Sequence, residues 1–153
     1  MTKVLMVCLG NICRSPLAEG ILQSKTNSEF VFVDSAGTAG FHIGNQPDIR
    51  SINVAAKYGI DISQQSCRKF SASDFEVFDY IYVMDKSNYA NVIAKAPNTS
   101  EEKKVKLLLS EGTSEIQEVP DPYYGGNDGF EKVFQLIDKA CDKIAEKINK
   151  NGI

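Results

Sequence analysis

The stretch Val4-Leu5-Met6-Val7-Cys8-Leu9-Gly10-Asn11-Ile12-Cys13-Arg14-Ser15-Pro16-Leu17-Ala18-Glu19-Gly20-Ile21-Leu22 decides how this chain folds. Its apolar start, Val4 to Val7, is too short for a helix and reads as a buried strand over about Lys3–Leu9. Its end places apolar residues at 17, 18, 21 and 22, one face of a helix running from Ser15 to about Thr26. Ser15 suits the N-cap, and Pro16 suits the first helical position, where a missing N–H costs nothing. The segment between is therefore a strand-to-helix loop, with a thiol at its start and a guanidinium at its end. Successive backbone N–H groups in such a turn form an anion cradle, and the helix dipole adds positive potential there.

The residue types in the loop point to phosphoryl transfer. Thiols at a helix N-terminus beside an arginine lose their proton readily, so Cys8 is the expected nucleophile. Arg14 offers two parallel donors to a tetrahedral oxyanion, which a lysine cannot do. Gly10 allows unusual dihedrals, and Asn11 tolerates a left-handed conformation and can brace the loop through its side chain. Ser15 is placed to hydrogen-bond the Cys8 sulfur, steadying a thiolate and improving it as a leaving group. The expected phosphate-binding segment is Leu9, Gly10, Asn11, Ile12, Cys13, Arg14 and Ser15. Together these parts suit a covalent thiophosphate intermediate. Cys13 is also the expected redox partner of Cys8. An accessible thiolate oxidises first, and a loop curled around one anion brings both sulfurs to one small space.

Two other chemistries of such a loop lack their remaining parts. Zinc needs a second ligand pair, and Cys67, Cys141 and His42 stand isolated, so no metal is expected. No Gly-Lys-Ser/Thr follows the loop, which separates it from a Walker phosphate loop.

Outward from the loop, strands and helices alternate. Phe30-Val31-Phe32-Val33 reads as a second strand ending at Asp34-Ser35. Ala36–Gln46, with Gly37, Gly40 and Gly44, reads as a loop leaving a strand end beside the phosphate loop. It carries Phe41, equally suited to core or substrate rim, and His42, the only histidine, expected at the surface. Pro47-Asp48 opens a helix through Lys57, stopped by Gly59. Asp61–Ser73 is polar and irregular, with Cys67 a bystander. Tyr80–Met84 is a third strand, and Asp85-Lys86-Ser87 caps a helix to about Ala96, ended by Pro97. Asn98–Lys104 reads as a charged loop and Val105–Leu109 as a fourth strand. The acidic run Ser110–Val119 delivers Pro120-Asp121-Pro122-Tyr123-Tyr124. Its prolines stiffen the approach and bias Asp121 away from helix. A carboxylate held pointed at a fixed place, coupled to the thiol loop, is the expected general acid. Asp128-Gly129-Phe130-Glu131 reads as a capping box opening the last helix. The apolar stripe of that helix is Phe130, Val133, Phe134, Ile137, Cys141, Ile144, Ala145 and Ile148.

This alternation predicts an α/β fold: a four-stranded parallel sheet with helices on both faces, in a single domain over residues 1–153. The phosphate loop joins the first strand to the first helix, and the site lies at the carboxyl ends of the strands. Hydrophobic content of 42%, charged content of 24% and a net charge of −3 are those of a soluble globular protein and suggest no nucleic-acid surface. The start shows no signal-peptide pattern, and no apolar stretch approaches the ~20 residues that span a membrane. Four cysteines without a secretory signal suggest reduced thiols in a cytoplasm, and a monomer is the default.

Cys8-Leu9-Gly10-Asn11-Ile12-Cys13-Arg14-Ser15-Pro16 resembles the signature loop of the low-molecular-weight protein tyrosine phosphatases. Asp121-Pro122-Tyr123-Tyr124 resembles the general-acid loop of that family. Asp34-Ser35-Ala36-Gly37 and Phe78-Asp79-Tyr80-Ile81, with Met84-Asp85, resemble further family segments, so the resemblance spans nearly the whole chain. It implies a cofactor-free enzyme hydrolysing phosphotyrosine in proteins or peptides, and other aryl phosphates. In that reading Cys8 attacks phosphorus, Arg14 and the loop amides hold the equatorial oxygens, and Asp121 serves as acid and then base. Ser35 braces Asn11, while Phe41, Tyr123 and Tyr124 form the substrate rim. Two alternatives share the loop: a thiol-coupled arsenate reductase, which needs closely spaced further redox cysteines, and a non-catalytic phosphate-binding module, which would not need both Cys8 and Asp121.

Overall fold

Val4, Leu5, Met6 and Val7 have no exposed surface, which requires cover on both faces and a neighbour on both edges. They form the middle of strand β1 (Thr2–Cys8), which leads into helix α1 (Arg14–Ser24). Strand β2 (Val31–Gly37) and helix α2 (Ile49–Lys57) follow. A single helical turn, α3 (Asp74–Val77), precedes strand β3 (Tyr80–Val83) and helix α4 (Lys86–Ile93). A second single turn, α5 (Thr99–Glu102), precedes strand β4 (Val105–Leu107), which runs into a 3₁₀ turn at Leu108–Glu111. Helix α6 (Gly126–Lys150) closes the fold. The structure, a computed structural model, describes residues 1–112, 116–122 and 126–150.

The four strands are parallel in the order β2-β1-β3-β4. Alternate side chains of β1 feed two cores. Val4 and Met6 pack with Leu17 and Ile21 of α1, Val54 of α2, and Phe134, Ile137 and Cys141 of α6. Leu5 and Val7 pack with Phe75 of α3, Val92 of α4 and the inner residues Ile81, Val83 and Val105. Helices therefore cover both faces, as the alternation predicts. The chain leaves β1 to one side for β2 and crosses to the other side for β3. The order reverses at the carboxyl end of β1, where such sheets open a crevice.

Several boundaries differ from the sequence reading, each for a local reason. Cys13, not Ser15, is the N-cap of α1, and it makes no side-chain cap hydrogen bond. Ser15 and Pro16 are the second and third helical residues, because the Ser15 hydroxyl is committed to Cys8 and Asn11. Strand β2 does not stop at Ser35 but continues to Gly37, since the register with β1 runs unbroken to Cys8↔Gly37. Gly37 is thus a position of close approach, not a loop glycine. A Cβ there would lie 2.8 Å from the Leu9 carbonyl oxygen. Asn98–Lys104 holds the turn α5, capped by Asn98, whose side chain accepts from the Glu101 N–H. The last helix begins at Gly126, which puts Asp128 inside its first turn, where a negative charge suits the dipole. Among the described residues, no helix is long and apolar enough to cross a membrane.

Candidate active site

Between Cys8 and Arg14 the chain bends around Asn11, the one non-glycine residue with a positive φ (58°) among the described residues. Asn11 is 1% exposed, and its side chain is fully engaged. Its amide nitrogen donates to Ser15 Oγ (2.8 Å) and Ser35 Oγ (3.0 Å), and its oxygen accepts from the Arg68 backbone N–H (3.0 Å). Its backbone is tied as well: the N–H points at Cys8 Sγ (3.2 Å), and the carbonyl accepts from the Cys67 thiol (2.8 Å). Ser15 Oγ stands 3.0 Å from Cys8 Sγ. The Asn11 N–H donates to the sulfur, and the Ser15 hydroxyl lies within hydrogen-bond distance of it. Ser35 Oγ donates onward to Glu19 Oε1 (2.7 Å). The loop is also stitched to its surroundings by backbone bonds from Thr38 to Cys8, Ala39 to Leu9 and Asp48 to Ile12.

Arg14 is 5% exposed, and its Nη1 donates to Asp85 Oδ2 (2.8 Å) and the Val119 carbonyl (2.9 Å). Holding one nitrogen from behind fixes the plane of the guanidinium. A cavity of about 370 Å³ opens in front of it. Of the residues singled out in the sequence, the cavity gathers Cys8, Leu9, Gly10, Ile12, Cys13, Arg14, Phe41 and Asp121. Asn11, Ser15 and Ser35 stand behind the loop as a brace. Tyr123 and Tyr124 lie outside the described residues. His42 lines the cavity against Gly10 rather than sitting apart on the surface, and Asp48 lines it too.

The cavity is electrostatically mixed. Burial pushes the Cys13 thiol up to about 12, with Asp48 and then Cys8 adding to the rise. The Arg50 side chain, bonded to Asp48 at 3.1 Å, holds that carboxyl below its usual range. Cys8 and Cys13 are both free thiols. Among the described residues, no group of three or more His, Cys, Asp or Glu side chains is arranged to hold a metal ion.

Sequence reasoning missed Asp85, Cys67, Arg68 and Glu19. Asp85 was legible only as the N-cap of α4, which it is, accepting from the Asn88 N–H. The missing signal was its place: a residue just past a strand of a parallel sheet sits at the carboxyl edge, beside the loop. Cys67 and Arg68 act through a thiol and a backbone N–H from an irregular segment, and no pattern marks such contacts.

A family model described as low molecular weight phosphotyrosine protein phosphatase matches residues 3–152. A Schizosaccharomyces pombe low molecular weight phosphotyrosine protein phosphatase is 45% identical, over 90% of this chain and 94% of its own. The Bacillus subtilis low molecular weight protein-tyrosine-phosphatase YfkJ is 42% identical, over 98% of this chain and 97% of its own. A crystal structure of an Entamoeba histolytica protein tyrosine phosphatase with Hepes in the active site superposes with a TM-score of 0.93 at 36% identity, covering all of both chains.

The Arg14–Asp85 pair generates a prediction. Asp85→Ala removes the counterion of a nearly buried guanidinium and the cap of α4 together. Breaking a buried pair costs about 3–5 kcal/mol, and with Asp85 21% exposed the low end of that range is expected. Chemical denaturation of the variant checks the stability loss. Phosphate affinity should fall in parallel, since the guanidinium loses its fixed plane.

Proposed function

The chain belongs to the low molecular weight phosphotyrosine protein phosphatase family and is a protein tyrosine phosphatase, and we propose that it hydrolyses its substrates through a phosphocysteine at Cys8. The observation that carries this reading is the convergence of the Cys8 sulfur, the Arg14 guanidinium and the Asp121 carboxyl on one cavity, although Asp121 is remote in sequence. In this mechanism the Cys8 thiolate attacks phosphorus in line with the departing phenolate. Arg14 and the N–H groups of the loop hold the equatorial oxygens, where the charge of the transition state is spread. Asp121 gives its proton to the leaving phenolate oxygen. It then takes a proton from the water that attacks the phosphocysteine, releasing inorganic phosphate and restoring the thiolate. Ser15 Oγ, donating to the sulfur, stabilises the thiolate as nucleophile and as leaving group. Leu9 and Phe41, 45% and 75% exposed at the mouth, are apolar enough to flank an aromatic ring.

The substrate is phosphotyrosine in a protein or peptide, and the enzyme acts as a single-domain monomer in the cytoplasm. Four free cysteines support a reducing compartment. The alternative of arsenate reduction finds little support in the other thiols. Cys141 is fully buried in the α6 stripe, and the Cys67 thiol is bonded beneath the loop.

The decisive test is hydrolysis of an aryl phosphate without added metal. Wild type should turn over, and Cys8→Ser should bind phosphate while losing turnover, because a serine hydroxyl is protonated at neutral pH. Substantial turnover by the serine variant would remove Cys8 as nucleophile.

Asp121→Asn separates substrates by leaving group. A tyrosine phenolate, with a pKa of about 10, needs its proton as it departs, so the variant should lose about a hundredfold or more on phosphotyrosine. An activated nitrophenyl ester should suffer much less. Equal losses on both would transfer the role to another carboxylate, with Asp128 the next to test.

Mild peroxide should inactivate wild type reversibly through a Cys8–Cys13 disulfide, since both residues line one cavity. After a thiol reductant, wild type should recover and Cys13→Ser should recover less. Peptide mapping without an 8–13 linkage, with equal recovery, would take Cys13 out of the redox chemistry.

A further inference from the structure

A file of polar side chains runs from the nucleophile, behind the phosphate loop, to the far side of α1. Its bond directions follow from counting protons. Asn11 gives both amide protons away, one to Ser15 Oγ at 2.8 Å and one to Ser35 Oγ at 3.0 Å. Its oxygen is held by the Arg68 N–H, so the amide cannot be turned around. Each serine oxygen therefore accepts from Asn11 and must send its single proton onward. For Ser15 the acceptor is Cys8 Sγ at 3.0 Å, because the alternative, the Ala36 carbonyl, lies at 3.5 Å. For Ser35 it is Glu19 Oε1 at 2.7 Å. The end of the file is thus a carboxyl group one helical turn beyond Ser15.

A carboxylate only accepts, whereas a carboxylic acid also donates. The Arg68 N–H sets the directions at Asn11, and an ionised Glu19 closes the far end of the file with a group that can only accept from Ser35. A protonated Glu19 sets a competing donor against the Ser35 hydroxyl and loosens the hold of Ser35 on Asn11. We propose that Glu19 is a positioning residue for the nucleophile: its carboxylate keeps the Ser35 proton pointed away from Asn11, which steadies Asn11 and, through it, the Ser15 hydroxyl that is turned onto the Cys8 sulfur. This rests on Cys8 being the reactive thiol.

Two features of the surroundings make that end of the file responsive. Glu19 lines a groove of about 500 Å³, with Gln23, Ile60 and Gln65, separate from the active-site cavity. Glu19 therefore meets solvent through a different opening from that of the active-site cavity. Burial pushes the Glu19 carboxyl up to about 7, with Asp34 on β2 adding to the rise, while the bond from Ser35 and the charge of Arg68 pull it down. Asp61 borders the same groove. Both forms of Glu19 are therefore populated near neutrality. A glutamine would accept the same bond from Ser35 without any cost of ionisation. What only the carboxylate supplies is an end that cannot donate.

The test reads Cys8 directly, by its rate of alkylation with iodoacetamide in the free protein from about pH 5 to about pH 9. It decides the proposal whether or not the protein turns over a phosphate ester. Wild type should show an inflection near 7, beyond which the rate is higher. Glu19→Gln should lose that inflection, with a rate at pH 8 about three- to tenfold lower, the worth of one well-directed hydrogen bond. Ser35→Ala leaves Glu19 in place but cuts the file, and it should lose the inflection too. Retention of the inflection in Ser35→Ala, or a Glu19→Gln profile equal to or faster than wild type at pH 8, overturns the proposal. Stability checks the titration independently. A carboxyl whose folded value is raised from 4.5 to about 7 stabilises the fold at low pH, and that contribution is lost as pH rises through this window. Glu19→Gln should therefore gain melting temperature relative to wild type between about pH 4.5 and 7, with a constant gap above. A gap that does not widen there also overturns the proposal.

Discussion

The site depends on one constrained residue. Asn11 holds a left-handed backbone, which costs an L-residue roughly 1–2 kcal/mol. Three side-chain hydrogen bonds, to Ser15, Ser35 and the Arg68 backbone, offset that cost at about 0.5–1.5 kcal/mol each. None of these partners belongs to the anion that the loop would hold. The bend is stabilised by β2, by α1 and by the segment after α2, so the loop holds its course through contacts within the protein. Preorganised dipoles need no reorientation as charge develops. The bend also aims the Asn11 N–H at the Cys8 sulfur, so one conformation sets both the course of the loop and the surroundings of that sulfur.

Parallel topology explains why partners so distant in sequence meet. Cys8 ends β1, Gly37 ends β2, and Asp85 stands just past β3; in a parallel sheet all three fall on one edge. The close approach of Gly37 to Leu9 lets the loop fold back over the end of β2. Asp85 joins two tasks there, capping α4 through one oxygen and pairing with Arg14 through the other. A buried guanidinium without a counterion is strongly destabilising, so the Arg14–Asp85 pair is a structural requirement of the back wall of the cavity.

Much of this was legible in the sequence, and the boundary of legibility is physical. The apolar run of Val4 to Val7, the cysteine-to-arginine spacing and the stripe of α6 are periodic or local signals, and each appears where the pattern placed it. The N-cap of α1 was misplaced because Ser15 has two plausible uses, and tertiary partners decided between them. The extension of β2 to Gly37 was hidden because glycine reads as a breaker, whereas here its missing Cβ permits contact between neighbouring backbones. Cys67, Arg68 and Glu19 lay beyond reach for another reason: they contact the loop or its brace from other segments, and no local period encodes such pairings.

Net charge is a poor guide to what such a site binds. The chain carries −3, and Asp48 and Asp121 both line the cavity. A phosphate ester can still be held, because the interactions differ in range and screening. A nearly buried guanidinium such as that of Arg14 acts at hydrogen-bond distance, where electrostatic interactions are strong. Carboxylates nearer solvent act through a medium that weakens them with distance. Local pairing sharpens the contrast: Arg50 clasps Asp48 through two side-chain bonds of 3.1 Å, and Asp85 meets Arg14 on the side away from the cavity. An acidic protein can therefore carry a strongly anion-selective cleft, provided the donors are rigid and the acids are either paired or assigned to proton transfer.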